Sequence, residues 1–174
     1  MTRAALFTDA SVNPQQRLGV GVCLLLSLPL PEDCDRNELA GRLHYRYFTG
    51  TSSTVLELQT VLWGLELYRG QQSAPHREAL QVYTDSQCVA GLSARRARLE
   101  GAAYRSARSG GVLANAALYQ DFYAASDQLG FEVVKVTGHS PAATHDRVQQ
   151  IFALVDRRAR QELQRWLAVE DSRR

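Results

Sequence analysis

Lysine is almost absent from this chain. Lys135 is the only one, so all but one of the 20 Lys and Arg residues are arginine. Arginine's planar fork suits bidentate phosphate recognition, yet an arginine-favouring codon usage leaves the same imprint, and composition alone names no partner. Cysteine is scarce too: Cys23, Cys34 and Cys88 are odd in number and lack metal-ligand spacing, which excludes a disulfide framework and a zinc site. Reduced thiols fit a cytoplasmic setting. No long hydrophobic run occurs, since residues 20–26 are already interrupted by Gly21, and no basic stretch leads into an apolar segment with a cleavage site. The expectation is a cytoplasmic protein, neither secreted nor inserted in a membrane. Excess charge of one sign is also missing: the net value is +2, so only local clustering can point to an acidic partner.

What is present is the composition of a globular protein, with 45% hydrophobic and 22% charged residues in 174, enough for one domain with a sizeable core. No internal repeat or low-complexity tract occurs. Residues 4–8 and 18–26 read as strands joined by a turn at Asn13-Pro14-Gln15-Gln16, an antiparallel hairpin. After a loop with Pro29 and Pro31, the aromatic stretch 44–48 reads as a third antiparallel strand. The period then changes, and Val55, Leu58, Leu62 and Leu65 mark a helix over 54–68. A strand at 79–84, a helix opening at Ser86, a helix over 113–129, a strand at 131–136 and a final helix over 145–167 complete the order. Three antiparallel strands followed by two with helical crossovers define an α/β fold with a five-stranded mixed sheet flanked by helices. The segment 93–111 interrupts the pattern, with Arg95, Arg96, Arg98, Arg105 and Arg108 opposed only by Glu100, and is expected to project into solvent.

Asp9 and Asp85 each follow a predicted strand. If these strands are parallel neighbours, both carboxylates meet at the sheet end where α/β proteins bind ligands, and they repel unless a cation joins them. Each acid alone is equally an ordinary cap for the next element. Glu57 is a third candidate, although Thr54-Val55-Leu56-Glu57 also fits a capping box. For a fourth, a helical wheel referenced to Val148 turns Asp156 about 80° away, inside the stripe of Val155, Ala159, Leu163 and Trp166, and Asp146 about 160° away, toward water. Asp156 is therefore the better ligand, with an ion pair to Arg160 as the structural alternative.

With these acids placed, the chain resembles type 1 ribonuclease H. The resemblance rests on Phe7-Thr8-Asp9-Ala10-Ser11, Ser52-Ser53-Thr54-Val55-Leu56-Glu57-Leu58, Tyr83-Thr84-Asp85-Ser86-Gln87, Val136-Thr137-Gly138-His139-Ser140 and Val155-Asp156-Arg157-Arg158-Ala159, in family order across most of the chain. It implies a ribonuclease H-like fold and a metal-dependent endonuclease cutting the RNA strand of RNA/DNA hybrids, with Asp9, Glu57, Asp85 and Asp156 as metal-binding acids. Two Mg2+ ions, replaceable by Mn2+, suit such hard oxygen ligands and in-line displacement at phosphorus. His139 would assist proton transfer or product departure. The chain departs from the family in a short loop after the first Asp, in Ser53-Thr54 where an Asn pair is usual, and in a long stretch between His139 and Asp156. That length leaves Asp146 and Gln149 as alternatives for the fourth ligand.

Asn13, Ser52, Ser53, Thr54 and Gln87 are candidate donors to phosphates, sugars or base edges, and hybrids are read chiefly by shape and the 2′-hydroxyl. Arg95, Arg96 and Arg98 sit where some members carry a basic protrusion, and are expected to meet phosphate. The expected partner is a hybrid duplex, bound by a monomer. Competing readings are an exonuclease, which would place a second acid where Ser11 stands, a junction resolvase, and an inactive nucleic-acid-binding module.

Overall fold

The computed structural model describes residues 3–32, 35–71, 79–137, 141 and 146–173. The strands are β1 (Arg3–Asn13), β2 (Leu18–Leu28), β3 (His44–Thr49), β4 (Ala79–Thr84) and β5 (Glu132–Lys135). They form one sheet in the order β3-β2-β1-β4-β5. β1 is its centre, antiparallel to β2 and parallel to β4, while β3 pairs antiparallel with β2 and β5 parallel with β4. This is the mixed sheet expected from the sequence.

The helices are α1 (Arg36–Gly41), α2 (Ser53–Gln71), α3 (Gln87–Ala90), α4 (Leu92–Gly101), α5 (Ala116–Leu129) and α6 (Arg147–Ser172). They cover both faces of the sheet, which explains why β1 is apolar throughout its first half rather than alternating. Ala4 and Leu6 join Leu58, Val61 and Leu65 of α2 and Phe122 of α5 in one core. Ala5 and Phe7 point the other way, into a second core with Ile151, Phe152, Val155 and Ala159 of α6. No helix among the described residues is long and apolar enough to cross a membrane.

Two boundaries differ from expectation in ways that shape the site. β1 does not end at Thr8: its antiparallel pairing with β2 continues to Asn13, whereas its parallel pairing with β4 stops at Phe7 opposite Tyr83. The hairpin ladder carries polar Ser11 and Asn13 in strand conformation, and the expected turn follows from Pro14. Secondly, the first part of the arginine-rich segment is a regular helix, α4, most of whose side chains are exposed. Leu92 and Leu99, two helical turns apart, anchor α4 in the core, and Arg and Ala are strong helix formers.

Helix α2 lies on β2 at unusually close range because β2 offers two glycines beneath it. A Cβ at Gly21 would stand 2.2 Å from Thr60 Oγ1, and one at Gly19 would stand 2.3 Å from Leu56 Cδ2. Thr60 is itself held, its hydroxyl donating to the Leu56 carbonyl at 2.7 Å. Gly21→Ala is therefore expected to lower the unfolding free energy by about 1–3 kcal/mol through overpacking. In urea denaturation, combining it with Thr60→Ala should recover much of that loss, because the second change removes the atoms met first. Simple additivity of the two changes would show that this contact does not set the helix position.

Candidate metal centre

Asp9 lies two residues beyond the last pair of β1 with β4, opposite Val22 of β2, on the same strand face as Ala5 and Phe7. Phe7 stacks on Tyr83 of β4 with ring centroids 4.6 Å apart, fixing the two strands just before their acids. Asp85 follows β4 directly. The bland reading of it as a helix cap is not what forms: Ser86 is the cap of α3, its hydroxyl accepting from Val89 N–H at 3.3 Å, and Thr84 Oγ1 accepts from Ser86 N–H at 3.1 Å. These two bonds pin the turn that carries Asp85.

The capping box anticipated for Glu57 is likewise absent. Thr54 lies inside α2, one residue past its start, and Glu57 Oε2 is buried without a hydrogen-bond partner. Instead, Asp9, Glu57 and Asp85 bring one carboxylate oxygen each to within 4.8 Å of one another. Asp9 is 4% exposed. Burial, followed by the charges of Glu57 and Asp85, pushes the Asp9 carboxyl up to about 9. Glu57 is raised to about 8 by burial and by Asp85 and Asp156.

Asp156 stands apart from this tight trio. Its side chain is 37% exposed and ion-paired with Arg160, the structural alternative noted above, although its charge still raises both Asp9 and Glu57. Asp146 has another task. It is the exposed N-cap of α6, its Oδ1 accepting from Gln149 N–H at 2.8 Å while Gln149 Oε1 accepts from Asp146 N–H at 3.0 Å. The two alternatives for a fourth ligand thus form one capping box. His139 lies outside the described residues.

Three crowded carboxylates, two of them held above the usual range by burial and mutual repulsion, and one orphaned buried oxygen are the conditions a cation relieves. All donors are hard oxygens, which suits a hard divalent cation and not a thiophilic metal. The residues fit a divalent ion.

The candidate substrate contacts divide. Ser52, Ser53 and Thr54 are exposed at the start of α2. Asn13 is used internally, Oδ1 accepting from Gln16 N–H at 2.9 Å. Gln87 is exposed at the start of α3, and its Oε1 accepts from Lys135 Nζ at 2.5 Å. Arg95 donates to the Cys88 carbonyl at 2.9 Å and lies over the Tyr119 ring. Arg96 forks onto both Asp127 oxygens at 2.6 and 2.8 Å and also reaches Glu100 at 2.7 Å. Glu100 is therefore not the only acid opposing the cluster; Asp127 of α5 is remote in sequence and no local pattern marks it. Arg98, Arg105 and Arg108 are exposed.

No protein-family model and no curated protein matches the sequence. Solved structures do match. The chain superposes on the PFV RNase H domain with a TM-score of 0.67 at 12% identity, covering 92% of this chain and 93% of that one. The foamy viral protease-reverse transcriptase in complex with RNA/DNA hybrid matches with a TM-score of 0.61 at 10% identity, over 92% of this chain but 19% of that chain. LC9-RNase H1, a type 1 RNase H with the type 2 active-site motif, gives 0.55 at 20% identity over 79% of this chain and 64% of that chain. The sheet order and flanking helices are those of the ribonuclease H fold.

Proposed function

We propose that this chain is a metal-dependent endonuclease that hydrolyses the RNA strand of RNA/DNA hybrids, leaving 5′-phosphate and 3′-hydroxyl ends, and that it acts as a cytoplasmic monomer built from one domain. The observation that carries this reading is the convergence of Asp9, Glu57 and Asp85 at the carboxyl end of the parallel β1–β4 pair, in a ribonuclease H fold. Ligands of α/β sheets bind at such ends.

Asp9, Glu57 and Asp85 would hold the metal, and Asp156 would complete the set. When bound, a pair of Mg2+ ions supplies Lewis acidity toward the scissile phosphate and the attacking water. The chain's own contribution is placement. Asp9 is locked in the sheet, Asp85 is fixed by the Thr84–Ser86 turn, and Glu57 is set at its depth by the glycine seat under α2. Asp156, half-buried and paired with Arg160, would be the acid that turns from that guanidinium toward a bound cation. His139 would move a proton at the departing oxygen. Ser52, Ser53, Thr54 and Gln87 lie on the elements that carry Glu57 and follow Asp85, suited to donate to sugar and phosphate oxygens, and Arg98 supplies a cation to a more distant phosphate. A binding module without catalysis fits less well, because three clustered carboxylates repel phosphate unless a cation intervenes.

The direct test is a cleavage panel. Labelled RNA/DNA hybrid should be cut within the RNA strand in Mg2+ or Mn2+ and spared in EDTA, while double-stranded RNA, duplex DNA and four-way junctions remain intact. Preferential junction cutting would instead identify a resolvase. Within the same assay, Asp156→Asn should lower the rate more than tenfold. Asp146→Asn should leave it nearly unchanged, since Asn caps a helix about as well as Asp. The reverse ranking would remove Asp156 from the site.

A further inference from the structure

Beyond the acids, the same sheet face carries an aromatic surface at its far edge. Directly opposed residues on neighbouring strands share a face, and Asp9, Val22 and Tyr45 form one such row across β1, β2 and β3. Ser11, Val20 and Tyr47 form the next. Two interstrand spacings therefore separate Tyr45 from Asp9, roughly 10 Å. Tyr45 and Tyr47 are 41% and 46% exposed, two large rings side by side on one strand face.

These rings are held rather than loose. Tyr45 and Tyr47 pack edge to face at 5.7 Å, and Trp166 of α6 tilts against Tyr47 at 4.8 Å. The Arg158 guanidinium lies 5.1 Å from the Tyr45 ring centroid. Beneath them Glu162, only 2% exposed, accepts from Tyr47 Oη at 3.4 Å and ion-pairs with Arg158 and Arg165, each at 2.8 Å. One buried carboxylate shared by two guanidinium groups leaves a net positive charge at the surface, and the Arg165 side chain is 70% exposed. Fixed π-faces with unspent positive charge are what successive bases and phosphates of a single strand require. An apolar protein partner would gain nothing from the charge.

We propose that Tyr45, Tyr47 and Trp166, with Arg158 and Arg165, form a stacking platform for single-stranded nucleic acid, occupied by the unpaired tail of a substrate whose duplex lies at the acids. The role of tail rests on the nuclease reading; the platform's affinity for a free single strand does not. Stacking is indifferent to the sugar, so RNA and DNA tails are both accepted. β3 is also the sheet's edge, and the competing occupant is a second copy of this chain.

The experiment measures fluorescence anisotropy of a labelled ten-nucleotide polypyrimidine strand with the full-length protein in EDTA. Tyr45→Ala with Tyr47→Ala should weaken binding by about tenfold or more, whereas Tyr45→Phe with Tyr47→Phe should bind like the wild type because the rings remain. Equal binding by all three proteins overturns the proposal. So does a wild-type dimer, seen by sedimentation, that the Ala pair dissociates. Circular dichroism establishes that each variant is folded. Cleavage of a blunt hybrid in Mg2+ should be unchanged by the Ala pair. If blunt hybrid is never cut, the nuclease reading fails, while the single-strand measurement still reads the platform.

Discussion

Asp85→Asn should abolish hybrid cleavage in Mg2+, by more than about a hundredfold, and leave a folded protein. The amide preserves size but removes a charge from a trio whose oxygens lie within 4.8 Å, so loss of a ligand is the main consequence. Lewis-acid stabilisation at phosphorus is worth several kcal/mol, which sets the scale of the loss. The same change should stabilise the metal-free fold, because the charge of Asp85 raises both Asp9 and Glu57. Cleavage kinetics and urea denaturation in EDTA read the two halves separately. Wild-type rates from Asp85→Asn would sink the metal-centre reading, and a destabilised variant would mean that Asp85 holds the turn instead.

Without divalent ions, the fold itself should weaken as pH rises. Asp9 stands at about 9 and Glu57 at about 8, both above the ordinary carboxyl values of 3.8 and 4.5. Across that window the native state holds protons that the unfolded chain has released. Stability is therefore full on the acid side and falls as pH climbs toward the folded values, by about 1.4 kcal/mol per unit for each proton held. Denaturation midpoints in EDTA between pH 5 and 8 should decline, apart from contributions of other groups, and Asp9→Asn should flatten the slope. Added Mg2+ should reverse the decline, since a cation favours the ionised trio. A flat profile for the wild type in EDTA would show that these acids are not buried together.

The sheet order was legible because strand and helix periods alternate cleanly: the apolar run ending at Leu26, the β-rich stretch before Asp85 and the spacing of Val55, Leu58, Leu62 and Leu65 each bury a definable face. The structure departs from local preference where tertiary pairing overrides it. Ser11 and Asn13 continue a strand because β2 pairs with them. Glu57 makes no capping box because α2 begins at Ser53 and so holds Thr54 inside it, and its carboxylate meets Asp9 and Asp85 from remote segments instead. Helix α1 falls in the stretch whose prolines suggest a loop, yet Asp35 caps it and Leu39 anchors it, a single apolar turn being too short to show a period. Glu162 was invisible as a buried acid, since its partners on α6 look like an ordinary solvated i,i+4 pattern and Tyr47 lies far away in the chain. The arginines of α4 were countable, but the capture of Arg96 by Asp127 was not.

The scarcity of lysine has a practical outcome. Lys135 is the only lysine, exposed at the end of β5, and its Nζ contacts Gln87, two residues after Asp85. Among these 174 side chains an amine-reactive fluorophore therefore has one attachment point, on the strand beside the turn that carries Asp85. Arginine-rich surfaces leave the dye no competing anchors, because guanidinium groups stay protonated and unreactive under the same conditions. These residues thus carry a ready-made address for a reporter, and ligand arrival at the acidic trio can be followed by emission without any substitution in them.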